Sequence, residues 1–253
     1  MTQLPESPII TIERRKAVTI IISALLVAVA LGCGLMKVGS GFAARSANGI
    51  TVTGSAKVAA VADNAVWTLS VALSAPRVSD AVTKIGVGVD ALTKYLTDGG
   101  LPIDAITLGS VSTYSIEEVI NGNSTGRILS YRGSRDVTVR STNVQLISKL
   151  SQGIGSILQN GVPVNNYGPQ YYVSTLADLR PQLLSEAMKD AKVRADALTK
   201  AVGGSVGNVS SVKSGPFQVT TPDSTMTSDM GAYDTSSINK TITATVSVTF
   251  DTK

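Results

Sequence analysis

The sequence predicts an α+β protein: a single N-terminal transmembrane helix, then a domain of mixed or antiparallel sheet carrying three helices in the order ββαββαβαββ. Three observations point there. Residues 17–36, AVTIIISALLVAVALGCGLM, form an uncharged run behind Arg14, Arg15 and Lys16. Three later stretches repeat apolar residues at spacings of three and four, the period of a helix with one buried face. Between them lie alternating, β-rich stretches punctuated by Asn-Gly and Gly-Gly pairs.

The apolar run would span about 30 Å as a helix, the thickness of a bilayer's hydrocarbon core. The basic residues before it favour a cytoplasmic N-terminus. Residues 1–16 are then a basic cytoplasmic segment, 17–36 a membrane anchor, 37–49 a small, polar tether and 50–253 an exported domain. A cleaved signal peptide would use Gly41-Phe42-Ala43, but its apolar stretch is normally shorter than this one. Cys33 follows Ala30, Leu31 and Gly32, which scrambles the order a lipoprotein signal needs, and reads as a small apolar residue of the helix.

Ile50 to Gly54 and Asn64 to Leu73 alternate as strands, the second with Trp67, Leu69 and Val71 towards one face. Val78, Val82, Ile85, Val89, Leu92 and Leu96 then make one helical stripe, closed by Gly99-Gly100. Ile103–Ser115 and Arg127–Arg140 read as strands joined across Glu117–Gly126, which holds the turn residues Asn121-Gly122. Val144 to Gln159 reads as one helix with Ile147, Leu150, Ile154 and Leu158 inward, and Val164 to Val173 as a tyrosine-rich strand. The third helix runs from about Asp178, its expected N-cap, to Ala201. Leu184, Ala187, Ala191, Ala195, Leu198 and Val202 make its inner face. Val206–Val212 and Ile242–Phe250 are the last strands, separated by a long polar stretch, roughly 214–237.

The composition narrows the chemistry. Among 253 residues there is no histidine and one cysteine. Ser-His-Asp and Cys-His catalysis, His-ligated metal sites and a disulfide within the chain are excluded. The net charge of +4 sits largely at the N-terminal flanks: residues 1–47 hold five basic and two acidic side chains, leaving 17 against 16 in the rest. With so weak a field and few aromatics, nucleic acid is not an expected partner. Ser237 and Lys240 offer a nucleophile and a base, but no elbow or Ser-x-x-Lys helix accompanies them. The simpler reading of Asp234 to Lys240 is turn chemistry, with Asp234 and Ser236 bonding their own backbone. Glu117 and Glu118 are adjacent on an extended chain, so their carboxylates point apart. Gly153-Ile154-Gly155 lacks the third glycine and the preceding strand of a dinucleotide site. Met226 and Met230, in the polar stretch, are open to reversible oxidation.

Several segments, taken in order, carry a resemblance. They are Ile50-Thr51-Val52-Thr53-Gly54, the strand Tyr131-Arg132-Gly133-Ser134-Arg135-Asp136, and the alanine-rich helix around Glu186 to Ala195. Gly215 to Thr220 and Asp234 to Lys240 complete the set. The chain resembles the SIMPL-domain proteins of the bacterial envelope over about residues 48–252, and its last two segments resemble the end of a membrane-anchored branch. The resemblance implies an exported α+β domain with no established activity or cofactor, self-association in some members, and links to envelope or oxidative-stress phenotypes. The expectation is a non-enzymatic homo-oligomer in the bacterial inner membrane, attached through 17–36, with 37–253 in the periplasm. No catalytic, cofactor or metal residues are expected. The expected contact residues are Phe217, Gln218, Asp234, Thr235, Ser236, Ser237, Lys240 and Tyr171, together with strands at sheet edges. The alternative is a periplasmic module binding a protein or small ligand through 214–237.

Overall fold

The computed structural model describes residues 29–31 and 49–252. Thirteen elements follow one another: β1 (Gly49–Val61), β2 (Asn64–Ala75), α1 (Val78–Asp98), β3 (Ile106–Ile120), β4 (Asn123–Ser141), α2 (Val144–Gly153), α3 (Gly155–Gln159), β5 (Val164–Tyr172), α4 (Leu176–Ala201), β6 (Val206–Ser214), β7 (Gln218–Thr220), β8 (Ala232–Tyr233) and β9 (Asn239–Thr252). The chain divides into two compact units. One comprises residues 52–195 with 212–248, the other residues 49–51 with 196–211 and 249–252.

The α+β expectation for 50–253 matches this architecture, but three parts of the expected fold class need correction. The transmembrane helix expected over 17–36 lies outside the described residues except for 29–31, which are helical and exposed. Among the described residues no helix is long and apolar enough to cross a membrane, so the expected transmembrane helix is not among the elements of the described fold. The expected segments 1–16 and 37–48, with Cys33 and Gly41–Ala43, also lie outside the described residues. Within residues 49–252 the α-helices number four instead of three. The stretch 144–159 breaks at Ile154 (φ −59°, ψ −22°), between Gly153 and Gly155. Gly153 is small because the Tyr95 hydroxyl lies against it, donating to the Leu150 carbonyl at 2.8 Å. Beyond the break Ile157 is buried, and Leu158, expected inward, is 47% exposed. Finally, the polar stretch 214–237 contains two short strands, β7 and β8.

One sheet runs β3-β4-β2-β5, antiparallel throughout. Strand alternation sends Trp67, Leu69, Val71, Val137 and Val139 to one face, where all are fully buried against Ile85, Val89, Leu92 and Leu96 of α1 and Ile147 and Leu150 of α2. Burial of each such side chain stabilises by about 1.5–3 kcal/mol. Asn143 caps α2, its Oδ1 accepting from the Leu146 N–H. The other sheet runs β1-β9-β7-β8, with β6 also on β9. Its β7–β8 pair is parallel, which makes the sheet mixed. The predicted inner row of β9, Ile242, Ala244, Val246, Val248 and Phe250, is buried. Helix α4 starts at Leu176, two residues before the expected cap, and buries Leu183, Ala187, Ala191, Ala195 and Thr199. That strict i, i+4 row leaves Leu198 and Val202 exposed, against expectation. In the smaller unit, Ser210 Oγ donates to the Thr249 carbonyl, and the Thr51 and Thr249 hydroxyls meet at 2.9 Å.

The β3–β4 link was expected as a loop over 117–126. Instead both strands continue to a two-residue turn, Asn121-Gly122, with φ of 50° and 82°. Positive φ at both positions matches the twist of the strands and lets them zip to the tip. Strand β2 ends at Ala75, opposite Tyr131. Residues 116–130 therefore form a two-stranded ribbon beyond the sheet.

Candidate functional site

The segment after β8 is a clasp. Lys240 has the parity of Ile242 and Ala244 along β9, so its side chain points inward and is fully buried. Its Nζ donates to the Asp234 carbonyl at 2.6 Å and to Asp234 Oδ1 at 3.2 Å. The same carboxylate accepts from the Ser236 N–H and hydroxyl and from the Ser237 N–H. Burial pushes the Asp234 pKa up, but the hydrogen bonds from Lys240, Ser236 and Ser237, with the lysine charge, outweigh it and hold the carboxyl below its usual 3.8. Turn chemistry thus shapes the entry to β9. The Ser237 hydroxyl donates to the Asn239 carbonyl at 2.7 Å, so hydroxyl and amine are not paired as nucleophile and base.

The other expected contact residues gather around this clasp. The Thr235 carbonyl accepts from the Tyr171 N–H at 2.8 Å, and Asp234 N–H donates to the Val219 carbonyl. Tyr171 is buried at 5% exposure. Gln218 is also buried. Its Nε2 donates to the Ser228 carbonyl at 2.6 Å, and its Oε1 has no partner among the described residues. Phe217 is half-buried with the Arg180 guanidinium 5.5 Å above its ring, a cation–π contact. Gln218, Tyr171 and Lys240 are therefore spent within the chain, whereas Ser236 stays exposed.

A second feature is the outer edge of β3. From Ile106 to Ile116 it reads ITLGSVSTYSI, with no charge and no proline. Between Thr107 and Ile116 the described residues show one bond outside the β4 ladder, Arg135 Nε to the Gly109 carbonyl at 2.8 Å. Val111 and Tyr114 are 41% and 58% exposed. The ribbon beyond carries Val119, Ile120, Ile128 and Leu129, each 47–63% exposed. Glu118 pairs there with Arg127 at 3.4 Å, and Ser124 donates to Glu117. Sheet edges in general were expected contacts. This particular edge was signalled by its long uncharged β-rich run.

Two other edges carry contacts of their own, whereas β6, at the edge of the second sheet, is also exposed, with Val209 and Val212 at 49% and 52%. On β1 the Ser55 N–H donates to Asp190 Oδ2 of α4 at 2.8 Å, and on β5 Tyr171 N–H is taken by Thr235. The family model SIMPL, described as a protein of unknown function (DUF541), matches residues 50–250. The chain belongs to the SIMPL family. The match is to the family as a whole, with no membrane-anchored branch distinguished. No curated protein matches the sequence. The glycines of two SIMPL-like segments have a physical reason. A β-carbon on Gly54 would fall on the Ala187 carbonyl oxygen and crowd Ala191, so Gly54 lets the helix backbone lie on the strand. A β-carbon on Gly133 would fall on the Ile85 side chain of α1. Among the described residues no group of acidic or cysteine side chains could hold a metal ion.

Proposed function

We propose that this SIMPL protein is a non-enzymatic component of the bacterial envelope whose periplasmic domain assembles with further copies of itself through the β3 edge and the β3–β4 ribbon. The observation that carries the reading is the unguarded edge from Ile106 to Ile116. An exposed strand offers a row of backbone donors and acceptors, and monomeric proteins blunt such edges with charge, proline or cover. Here all three are missing over most of its length, and the register shift between Leu108 and Val111 is the irregularity that interrupts the run up to Ile116. An isolated two-stranded ribbon is marginal in water, and this one exposes apolar side chains on both strands. A second copy supplies what the ribbon lacks.

The periplasmic placement is supported by the basic cluster and apolar run of residues 14–36, which an export machinery reads. A connection with oxidative-stress defence belongs to the same proposal. It is supported by Met226 and Met230, whose exposures of 71% and 94% leave the thioethers open to oxidants.

The test is a pair of substitutions, Val111→Lys and Tyr114→Lys, at exposed positions of β3. Such surface changes usually alter stability by less than about 0.5 kcal/mol, so the melting temperature stays while the assembly dissociates. An assembly that keeps its mass in the double variant overturns the proposal.

A further inference from the structure

A cleft of about 650 Å³ opens between α2, the β5 bulge and the approach to β9. This volume falls within the range of small-ligand sites. The lining is distinctive in what it lacks: among the described residues no carboxylate, amine or guanidinium reaches it. Phosphates, metal ions and free amino acids would find there none of the charged side chains that usually hold them. Hydroxyls, amides and two tyrosines take their place.

One of those tyrosines is deliberately presented. The β2–β5 register slips between Trp67, opposite Pro169, and Leu69, opposite Asn166, which loops out Tyr167 and Gly168. Gly168 takes a φ of +76°, open to glycine at no cost. Asn166 Oδ1 pins the bulge by accepting from Trp67 Nε1 at 2.8 Å and from Gly168 N–H at 2.9 Å. The result is a Tyr167 that lines the cleft while remaining 71% exposed. Bulges re-aim side chains in this way beside binding sites. Around it, the Ser151 hydroxyl, the Asn239 amide and the Tyr167 hydroxyl carry no hydrogen bond among the described residues, and the Gln152 amide spends one N–H on Ser148 at 3.3 Å. Each is both donor and acceptor, or nearly so.

An exposed flat ring beside uncharged two-way hydrogen-bonding groups matches a pyranose, which has an apolar C–H face and a rim of hydroxyls. We infer that this cleft binds a neutral saccharide chain, with a sugar ring stacked on Tyr167 and its hydroxyls met by Ser151, Gln152 and Asn239. An extended peptide fits less well. Strand addition needs free backbone donors, but Pro169 has none, Gly168 N–H is taken by Asn166, and Tyr171 N–H by Thr235.

The inference is independent of self-association and is tested on the full-length protein in a detergent without a sugar headgroup. The probes are chitotetraose and cellotetraose, titrated by calorimetry, with an uncharged Ser/Gly-rich peptide alongside. At least one tetrasaccharide should bind saturably. Tyr167→Ala should weaken it about tenfold, the loss of one stacking contact, while Tyr167→Trp should restore it. Tyr167 is exposed, so neither variant threatens the fold. Absence of binding by both saccharides, binding of the peptide alone, or saccharide binding indifferent to Tyr167→Ala overturns the inference.

Discussion

Lys240 shows how a single residue organises this domain. A fully buried ammonium is tolerated because Asp234 supplies both a carboxylate and a carbonyl oxygen. Removing the carboxylate leaves the charge with half its partners. Asp234→Ala should therefore cost about 2–3 kcal/mol, below the figure for a fully buried pair because Asp234 stays 30% exposed and the backbone carbonyl remains. Lys240→Met keeps the packing and removes the charge, so it should cost less than Asp234→Ala in the same denaturation series. The pH dependence has a definite sign. The folded pKa of Asp234 lies below 3.8, so its contribution is complete above the unfolded value and is lost as the pH falls through the folded one. The melting-temperature gap between the native protein and Asp234→Asn should be present at neutral pH and close in acid, below about pH 4. A gap that persists undiminished at lower pH would contradict this account of the clasp.

At the scale of elements, packing decides where the sequence was readable. β2 and β9 are plain because strict alternation maps directly onto one buried and one open face. The same period places Lys240 inward, a signal that the residue's charge masks. The register of α4 was read one position off at each end because alanine carries a weak hydropathy signal, while Gly54 marks its true contact with β1. Gly54→Ala should destabilise by about 3 kcal/mol, the upper end for overpacking, since the obstruction is helix backbone. A loss under about 1 kcal/mol in urea unfolding would show that α4 can shift. The break at Ile154, the strands β7 and β8 and the Tyr167 bulge were not legible. Each depends on a contact distant in sequence: Tyr95 against Gly153, Asp234 N–H on Val219, and Trp67 Nε1 on Asn166. The turn chemistry of Asp234 and Ser236 was legible from residue type, whereas the inward use of Gln218 and Lys240 was not, because their hydrogen-bond partners cannot be read from residue type.

For the whole molecule, the reading turns on how many chains come together. The domain spends polar groups on itself at β1, β5 and β9, and the longest run it leaves uncovered and uncharged is β3 with its ribbon, beside the shorter exposed edge of β6. The most direct measurement is the mass of the full-length protein in mild detergent, by light scattering with the detergent contribution subtracted, across a concentration series. The account predicts a defined multiple of the 26.1 kDa chain that holds as the protein is diluted through the range. The mass of one chain at every concentration would contradict it.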